Sequence, residues 1–230
     1  MKIKLRSIHV LSLFALGLLA GAASFAGEEK WGSLFDGKTL AGWKQLGGDA
    51  KFAVRDGMIV GTVTPGAGVN SFMTTEALFE DFVFECEFKA ADGINSGVQF
   101  RSAPPDEQAK RVHGYQCEID PTPRGLSGGI YEEAGRGWFV PTANHGEPQA
   151  TWAKAHAGIY KFGAWNTLRI EARGTKLRTW LNGQPMSEFD DQSDKRITRG
   201  FFGLQVHSTK NEKLFGLEVA FRNLRVQRLN

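Results

Sequence analysis

Apolar and polar residues alternate along most of the chain after residue 27, in runs of strand length that end at turn residues. A period of two places every second side chain on one face, which is the pattern of a β-strand rather than of a helix. The pattern predicts strands over Asp81–Ala90, Ser96–Ser102, His113–Asp120, Thr167–Arg173, Lys176–Leu181, Phe201–His207 and Leu217–Gln227. Short strands at this spacing are typical of an all-β fold in which two antiparallel sheets form a jelly-roll sandwich.

The connections between these runs are of two kinds. Three dipeptides are typical of tight hairpins because their residues adopt a positive φ at little cost: Asp36-Gly37, Asp56-Gly57 and Asn182-Gly183. Two longer stretches, Ala103–Val112 and Pro141–Gly163, lack strand character, and the second contains a candidate helical turn near Ala150–His156. Long connections often carry function, so we expect these two to wall a cleft above one sheet face.

The first 26 residues have the three-part pattern of a secretory signal peptide. A basic start is followed by the apolar stretch Ile8–Ala20, and Ser24 and Ala26 lie at −3 and −1 of a cleavage site before Gly27. We therefore expect a signal peptide over residues 1–26, one domain over residues 27–230, and export to the periplasm or beyond the cell. The alternative is an N-terminal membrane anchor, because residues 8–26 are just long enough to span a bilayer.

Composition excludes several classes of protein. The chain has 230 residues, of which 41% are hydrophobic and 23% charged, which fits one compact domain and excludes a disordered tail or a membrane bundle. Lys2, Lys4 and Arg6 account for three of its 28 basic residues, so residues 27–230 carry 25 bases against 25 acids. A neutral chain does not indicate nucleic acid as a partner.

The two cysteines, Cys86 and Cys117, each alternate in phase with large apolar residues of a predicted strand. An exported protein can form a disulfide, so the sequence leaves open either a bond between them or two buried thiols. Without a CxxC spacing or an adjacent pair of histidines, a zinc site is not expected.

Polar residues gather on the face of the strands that does not point to the predicted core. In the run His113–Asp120 the polar face carries Gln116, Glu118 and Asp120, and in the run Ser96–Ser102 it carries Gln99 and Arg101. Glu85 and Glu87 have the same phase in their strand, although a solvated outer sheet face explains these two better. Tyrosines, tryptophans and glycines near the first set indicate a concave carbohydrate site, because aromatic rings stack on sugar faces.

An ordered set of sequence blocks covers nearly all of residues 31–228: WGSLFDGKTLAGWK, NSGVQFRS, GYQCEID, GGIYEEAGRGWF, GAWNTLRIEARGTKLRTWLNGQP and GFFGLQVHS. In this order the blocks resemble the 3-keto-disaccharide hydrolase family. The resemblance implies a concanavalin A-like jelly roll and an enzyme that cleaves 3-keto-glycosides. The implied route is removal of the C2 proton, elimination of the C1 substituent, and hydration of the resulting glycal.

This chemistry needs a base, an acid and a donor for the oxyanion, and three residues are candidates for these catalytic roles. The resemblance implies a role for His207, as general base or as metal ligand. Glu118 is the preferred carboxylate, as the second acid/base or as a cation ligand, although family members often have Glu and Gln in the opposite order at positions 116 and 118. We place Arg101 near the oxyanion, with an ion pair to Glu118 or Glu87 as the alternative.

Four further residues are candidates for binding a carbohydrate substrate. Gln116 is expected to hold hydroxyl groups, Tyr131 and Trp138 to stack on sugar rings, and Glu132 to act as an acid. No cofactor is certain from the sequence, and a divalent metal ion is left open. The resemblance also implies a functional link to a sugar C3-dehydrogenase, which would supply the ketone.

Two other functions compete with this interpretation. A non-catalytic carbohydrate-binding module on the same fold would need aromatic and amide side chains but no proton-transfer pair. A retaining β-glucanase would need the strand signature Glu-x-Asp-x-x-Glu. Glu118 and Asp120 begin that signature, but residue 123 is proline, so the third carboxylate is missing.

Overall fold

A computed structural model describes residues 30–66, 68–106, 111–142 and 148–229. The predicted signal peptide therefore lies outside the described residues. The strands are β1 Gly32–Ser33, β2 Trp43–Gly47, β3 Lys51–Arg55, β4 Met58–Thr62, β5 Ser71–Thr75, β6 Phe82–Ala90, β7 Ser96–Ala103, β8 His113–Ile119, β9 Ile130–Glu133, β10 Gly137–Val140, β11 Asn166–Arg173, β12 Lys176–Leu181, β13 Gln184–Asp190, β14 Phe201–Val206 and β15 Glu218–Arg228.

These strands form two antiparallel sheets that pack face to face. One sheet has the order β13-β12-β11-β6-β15-β4-β3, with β1 paired to β15, and the other has the order β10-β9-β8-β7-β14-β5-β2. The described residues also include one α-helix, α1 (Gln149–Ala155), and one 3-10 turn (Glu212–Leu214). None of the described helices has the length and apolar content needed to cross a membrane.

The core lies between the two sheets and is built mainly from alternating residues of the central strands. Phe82, Phe84 and Phe88 of β6 are wholly buried, as are Phe100 and Tyr115 from the opposite sheet. Aromatic rings join across the interface: the Phe82 and Phe202 rings meet edge to face with centroids 4.7 Å apart. Each fully buried ring of this kind contributes about 2–3 kcal/mol through removal of apolar surface from water.

The sandwich predicted from the alternation is confirmed, and each of the seven predicted strands ends within one residue of its predicted bounds. The helical turn predicted near residues 150–156 is helix α1. Two predicted hairpins are also confirmed, since Asp56-Gly57 joins β3 to β4 and Asn182-Gly183 joins β12 to β13, all four residues having positive φ. Asp36-Gly37 instead lies in the loop between β1 and β2, where the Asp36 carboxylate accepts the backbone N–H groups of Lys38 and Thr39.

The sequence pattern did not show that β6 belongs to a different sheet from β7 and β8. Glu85 and Glu87 therefore lie on the outer face of their own sheet and do not join the polar face of the other. Glu85 is paired with Arg169 and Arg225, and Glu87 with Arg222, at nitrogen–oxygen distances of 2.5–2.7 Å. The solvated outer face favoured for these two glutamates is the observed arrangement.

Cys86 and Cys117 both lie between the sheets and are free thiols in this structure. Cys86 comes from β6 and Cys117 from β8, so the two belong to opposite sheets. Burial raises the pKa of both thiols far above the ordinary value, which keeps them protonated and unreactive in the folded state.

Candidate active site

The polar face of the second sheet carries a cleft of about 370 Å³ above strands β7, β8, β9 and β14. Its lining residues are Asn70, Asn95, Arg111, Gln116, Glu118, Arg124, Tyr131, Glu133, Trp138, Gln205 and His207. The structure thus brings together five of the residues selected from the sequence, namely His207, Glu118, Gln116, Tyr131 and Trp138. It does not bring Arg101 or Glu132 to this place.

Glu118 lies at the floor of the cleft, with only 4% of its surface exposed. One carboxylate oxygen accepts a hydrogen bond from the Asn95 side-chain amide, and the other accepts one from Gln116 Nε2 at 2.9 Å. The Arg124 guanidinium is 4.0 Å from the first oxygen. Burial outweighs these donors and raises the pKa of Glu118 to about 7, so the side chain is able to give or take a proton near neutral pH.

His207 follows the last residue of β14 and stands at the rim of the same cleft. Its Nδ1 is 2.6 Å from the Ser208 carbonyl oxygen, which assigns the proton of the neutral ring to Nδ1 and leaves Nε2 with a free lone pair. The walls of the cleft remove part of the hydration of the ring and lower its pKa, although the side chain stays accessible. A neutral imidazole with a free nitrogen is a general base.

An aromatic wall closes one side of the cleft. Tyr131 on β9 and Trp138 on β10 are directly opposite each other in the ladder, with ring centroids 5.3 Å apart. Both rings are half-buried, so part of each surface remains available to a ligand. Neighbouring aromatic rings beside hydrogen-bonding groups match the requirements of a sugar site.

The other end of the cleft carries a second buried carboxyl. Glu133 is 5% exposed, and its oxygens lie 3.4 Å from Asn70 Nδ2 and from an Arg111 guanidinium nitrogen. Burial raises the pKa of Glu133 in spite of these two partners. Arg111 and Arg124 are thus the cations that line the cleft among the described residues.

Arg101 must be reassigned, because a β-bulge turns its side chain away from the cleft. The ladder between β7 and β8 shifts register after Phe100, and Arg101 has a φ of 46°. Its buried guanidinium instead bonds Asp81 at 2.7 Å and the carbonyl oxygens of Glu80 and Gly174. Arg101 thereby joins the two sheets at one end of the sandwich, and neither of its predicted pairings with Glu118 or Glu87 is present.

Glu132 must be reassigned as well, since adjacent residues of a strand point to opposite faces. Its carboxylate accepts hydrogen bonds from the Arg136 backbone and guanidinium at 2.6–3.1 Å. Arg136 also binds Asp191 at 2.7 Å. Glu132 therefore belongs to a buried ion-pair network beside the core, and its neighbour Glu133 lines the cleft in its place.

Several cleft residues were missed by sequence reasoning, although some left a signal. Glu133 has the same strand phase as Tyr131, and Gln205 the same phase as His207, so strict alternation selects both. Asn95, interpreted from the sequence as a turn residue, does lie between β6 and β7 but also donates to Glu118. Asn70 comes from the distant connection between β4 and β5, and nothing in its sequence context indicated a site.

Two other features of the structure are relevant to the choice of site. Among the described residues, no three His, Cys, Asp or Glu side chains lie close enough together to bind a metal ion. A larger cleft of about 610 Å³ runs along the outer face of the first sheet beside Trp31. Of its three carboxylates, Glu85 is bound by two arginines, Glu87 is bound by one, and Asp36 accepts the backbone N–H groups of its own loop.

Comparison with known proteins connects this geometry to a family. The model of the 3-keto-alpha-glucoside-1,2-lyase-like domain matches residues 30–227, which is most of the chain. No curated protein matches the chain in sequence.

Similar solved structures support the fold. A glycosyl hydrolase candidate from Parabacteroides distasonis is 22% identical, with a TM-score of 0.58 over 87% of this chain and 100% of that one. The carbohydrate-binding module CBM66 from Bacillus subtilis is 18% identical, with a TM-score of 0.53 over 81% of this chain and 95% of that one. A Bacillus licheniformis β-glucanase is 10% identical, with a TM-score of 0.54 over 89% of this chain and 100% of that one. At these identities the likeness establishes the jelly-roll fold alone.

Proposed function

The chain belongs to the family of 3-keto-alpha-glucoside-1,2-lyase-like domains, and from that premise we propose that it cleaves 3-keto-glycosides by elimination, with hydration of the product glycal. The family supports a carbohydrate-active enzyme. The observation that carries the finer proposal is a pair of proton-transfer groups in one cleft: the buried carboxyl of Glu118, with a pKa of about 7, and the neutral imidazole of His207.

The first step is removal of the C2 proton, which the adjacent C3 ketone makes acidic. In the proposed reaction His207 Nε2 takes this proton, and the electron pair of the C–H bond moves into an enediolate whose negative charge lies on the C3 oxygen. Arg111 and Arg124 supply positive charge to the cleft in the role first given to Arg101. A donor to a developing oxyanion contributes about 3–4 kcal/mol of transition-state stabilisation.

The second step breaks the bond between C1 and its substituent. The enediolate re-forms the C3 ketone, a double bond forms between C1 and C2, and the departing oxygen takes a proton from Glu118. Water then adds across the double bond, which places hydroxyl on C1 and hydrogen on C2. Tyr131 and Trp138 hold the sugar ring, and acid–base assistance of this type contributes roughly 10²–10⁴-fold in rate.

The test is incubation of the purified chain with a 3-keto-glucoside and, in parallel, with its unoxidised parent. Mass spectrometry and the ultraviolet absorbance of the conjugated glycal follow the reaction, with and without a chelator. We expect turnover of the keto sugar only. Cleavage of the parent would replace the proposal with a conventional glycosidase, and binding without turnover would replace it with a carbohydrate-binding module.

Matched glutamine variants identify the acting carboxyl. Glu118 and Glu132 are both 4% exposed on neighbouring strands, but only Glu118 lines the cleft. Glu118→Gln is expected to lose turnover by at least 100-fold, while Glu132→Gln keeps kcat in the fraction that remains folded. Equal loss in both folded variants would contradict the assignment.

Two wider elements of the proposal follow from the substrate and from the amino terminus. A 3-keto-glycoside arises by oxidation of a sugar at C3, so we place a sugar C3-dehydrogenase before this reaction. The signal-like pattern of residues 1–26 supports an exported protein. Amino-terminal sequencing of the protein recovered from the periplasm or medium tests the export.

A further inference from the structure

The Gln116 side chain extends sideways from β8 across the neighbouring strand β7. In the ladder Gln116 lies opposite Gln99 of β7, yet its amide bonds to Gln205 on β14, one strand farther away. The side chain passes over Gly97: a Cβ built at Gly97 would lie 2.6–2.8 Å from Cδ, Cγ and Nε2 of Gln116. The missing side chain at Gly97 therefore leaves the space through which Gln116 reaches β14.

Gln205 forms a reciprocal amide pair with Gln116. Gln205 Nε2 donates to Gln116 Oε1 at 2.9 Å, and Gln116 Nε2 lies 3.4 Å from Gln205 Oε1. Gln205 is wholly buried, and its backbone carbonyl accepts the Ser96 hydroxyl at 2.6 Å, which holds β14 against β7 at this point.

This pair holds the oxygen end of the Gln116 amide while the N–H end faces the floor of the cleft. The oxygen and nitrogen ends of a carboxamide have nearly the same shape, so only the partners select the orientation. The ionised Glu118 carboxylate only accepts hydrogen bonds, so it selects Gln116 Nε2, at 2.9 Å, and Gln205 Nε2 satisfies Gln116 Oε1 at the other end of the amide. The reversed amide would set its oxygen against the carboxylate, which is repulsive.

We propose that Gly97 and Gln205 are positioning residues: together they hold the Gln116 amide extended across β7, so that its N–H end stays within hydrogen-bond distance of Glu118. Neither residue touches the reacting atoms in this role, which rests on the proton transfer proposed for Glu118. Gly97 supplies the space, and Gln205 supplies the donor that holds the oxygen end of the amide. A buried carboxyl then keeps two amide donors, and its proton affinity stays in the range useful for transfer at neutral pH.

Other charged groups also act on Glu118 and must be held constant in a test. Asp120 and Arg124 exert electrostatic effects on Glu118, and His207 and Glu133 line the same cleft. Substitutions of Gln205 by Met and of Gly97 by Ala alter none of these charges. Gln99 offers a matched control. It is as buried as Gln205 and lies on the same face of the sheet, on the neighbouring strand. Within the described part of the chain its side chain forms no hydrogen bond.

The experiment is a titration of the Glu118 side-chain carboxyl by ¹³C NMR in the wild type and in Gln205→Met, Gly97→Ala and Gln99→Met. Loss of the Gln116 donor destabilises the carboxylate, so the first two variants are expected to raise the Glu118 pKa by about one unit. Gln99→Met is expected to leave that pKa within about 0.2 units. The alkaline limb of the kcat profile should move with the NMR titration, while KM changes less than kcat.

The proposal is overturned if the Glu118 pKa in Gln205→Met and in Gly97→Ala is the same as in Gln99→Met. Gly97→Ala retains every polar group, so it carries the test alone if Gln205→Met does not fold. The NMR titration needs no substrate. A shifted titration in a chain that turns over no keto sugar would support the positioning role and refute the proposed function, so the two failures are distinguishable.

Discussion

Replacing Glu118 with glutamine is expected to lower turnover by at least 100-fold and, at alkaline pH, to make the protein more stable. A carboxyl in an unfolded chain releases its proton near the ordinary pKa of 4.5, whereas the folded protein holds it to about 7. The folded state therefore binds the proton more tightly. Stability from this group is fully present below pH 4.5 and is lost as the pH rises through 7.

The magnitude follows from the two pKa values. A pKa difference of this size means that the contribution of Glu118 to the free energy of unfolding falls by about 3 kcal/mol from low to high pH. Between pH 5 and pH 8 the loss of stability is about 2–3 kcal/mol, because the unfolded chain is already mostly ionised at pH 5. Glu118→Gln cannot ionise, so it lacks this part of the pH dependence.

The assay is urea unfolding of the wild type and of Glu118→Gln at pH 5 and pH 8. The change in the free energy of unfolding on substitution should favour the variant by about 2–3 kcal/mol more at pH 8 than at pH 5. Any cost of placing an amide beside Asn95 and Gln116 is the same at both pH values and cancels in this difference. A difference below about 0.5 kcal/mol would refute the pKa assigned to Glu118 and its role as a proton donor at neutral pH.

Three further substitutions test separate parts of the site. His207→Asn should lower kcat by roughly 10²–10⁴-fold with unchanged urea unfolding, and equal kcat would remove His207 as the base. Trp138→Ala should raise KM for the keto sugar roughly tenfold at nearly constant kcat, measured by initial rates; a constant KM would contradict stacking. Arg101→Met should lower the free energy of unfolding by about 3 kcal/mol in urea, because it removes the buried guanidinium that bonds Asp81 and two backbone carbonyl oxygens. If folded Arg101→Met lost activity while its stability was unchanged, Arg101 would have a role in the cleft and the structural assignment would be wrong.

Strand alternation was sufficient to predict the sandwich and most of the cleft floor. Gln116 and Glu118 share a strand phase that is opposite to that of the core residue Cys117, and the structure retains this phase along all of β8. The order of strands within a sheet has no such local signal. For this reason the sequence could not reveal that Gln205 lies two strands from Gln116, or that β6 belongs to the opposite sheet.

Irregular backbone accounts for the wrong assignment of Arg101. A simple alternation carries Arg101 onto the polar face with Gln99, but the bulge after Phe100 reverses its direction. The close approach of another strand accompanies this bulge, since a Cβ at Gly200 would lie 2.3 Å from the Arg101 carbonyl carbon. Such an approach depends on residues a hundred positions apart, and strand periodicity contains no information about it.

The two free thiols between the sheets give the chain an internal reporter of its own opening. Alkylating reagents reach Cys86 and Cys117 only when the sandwich separates, because both are buried and their thiolates are suppressed. Under conditions of rapid reclosing, the labelling rate therefore measures the equilibrium population of opened molecules. A sugar bound on the far face of the sheet that carries Cys117 slows labelling by the factor 1 + [L]/Kd without touching either sulfur. Ligand affinity can thus be measured as protection of the thiols, for substrates that turn over and for analogues that do not.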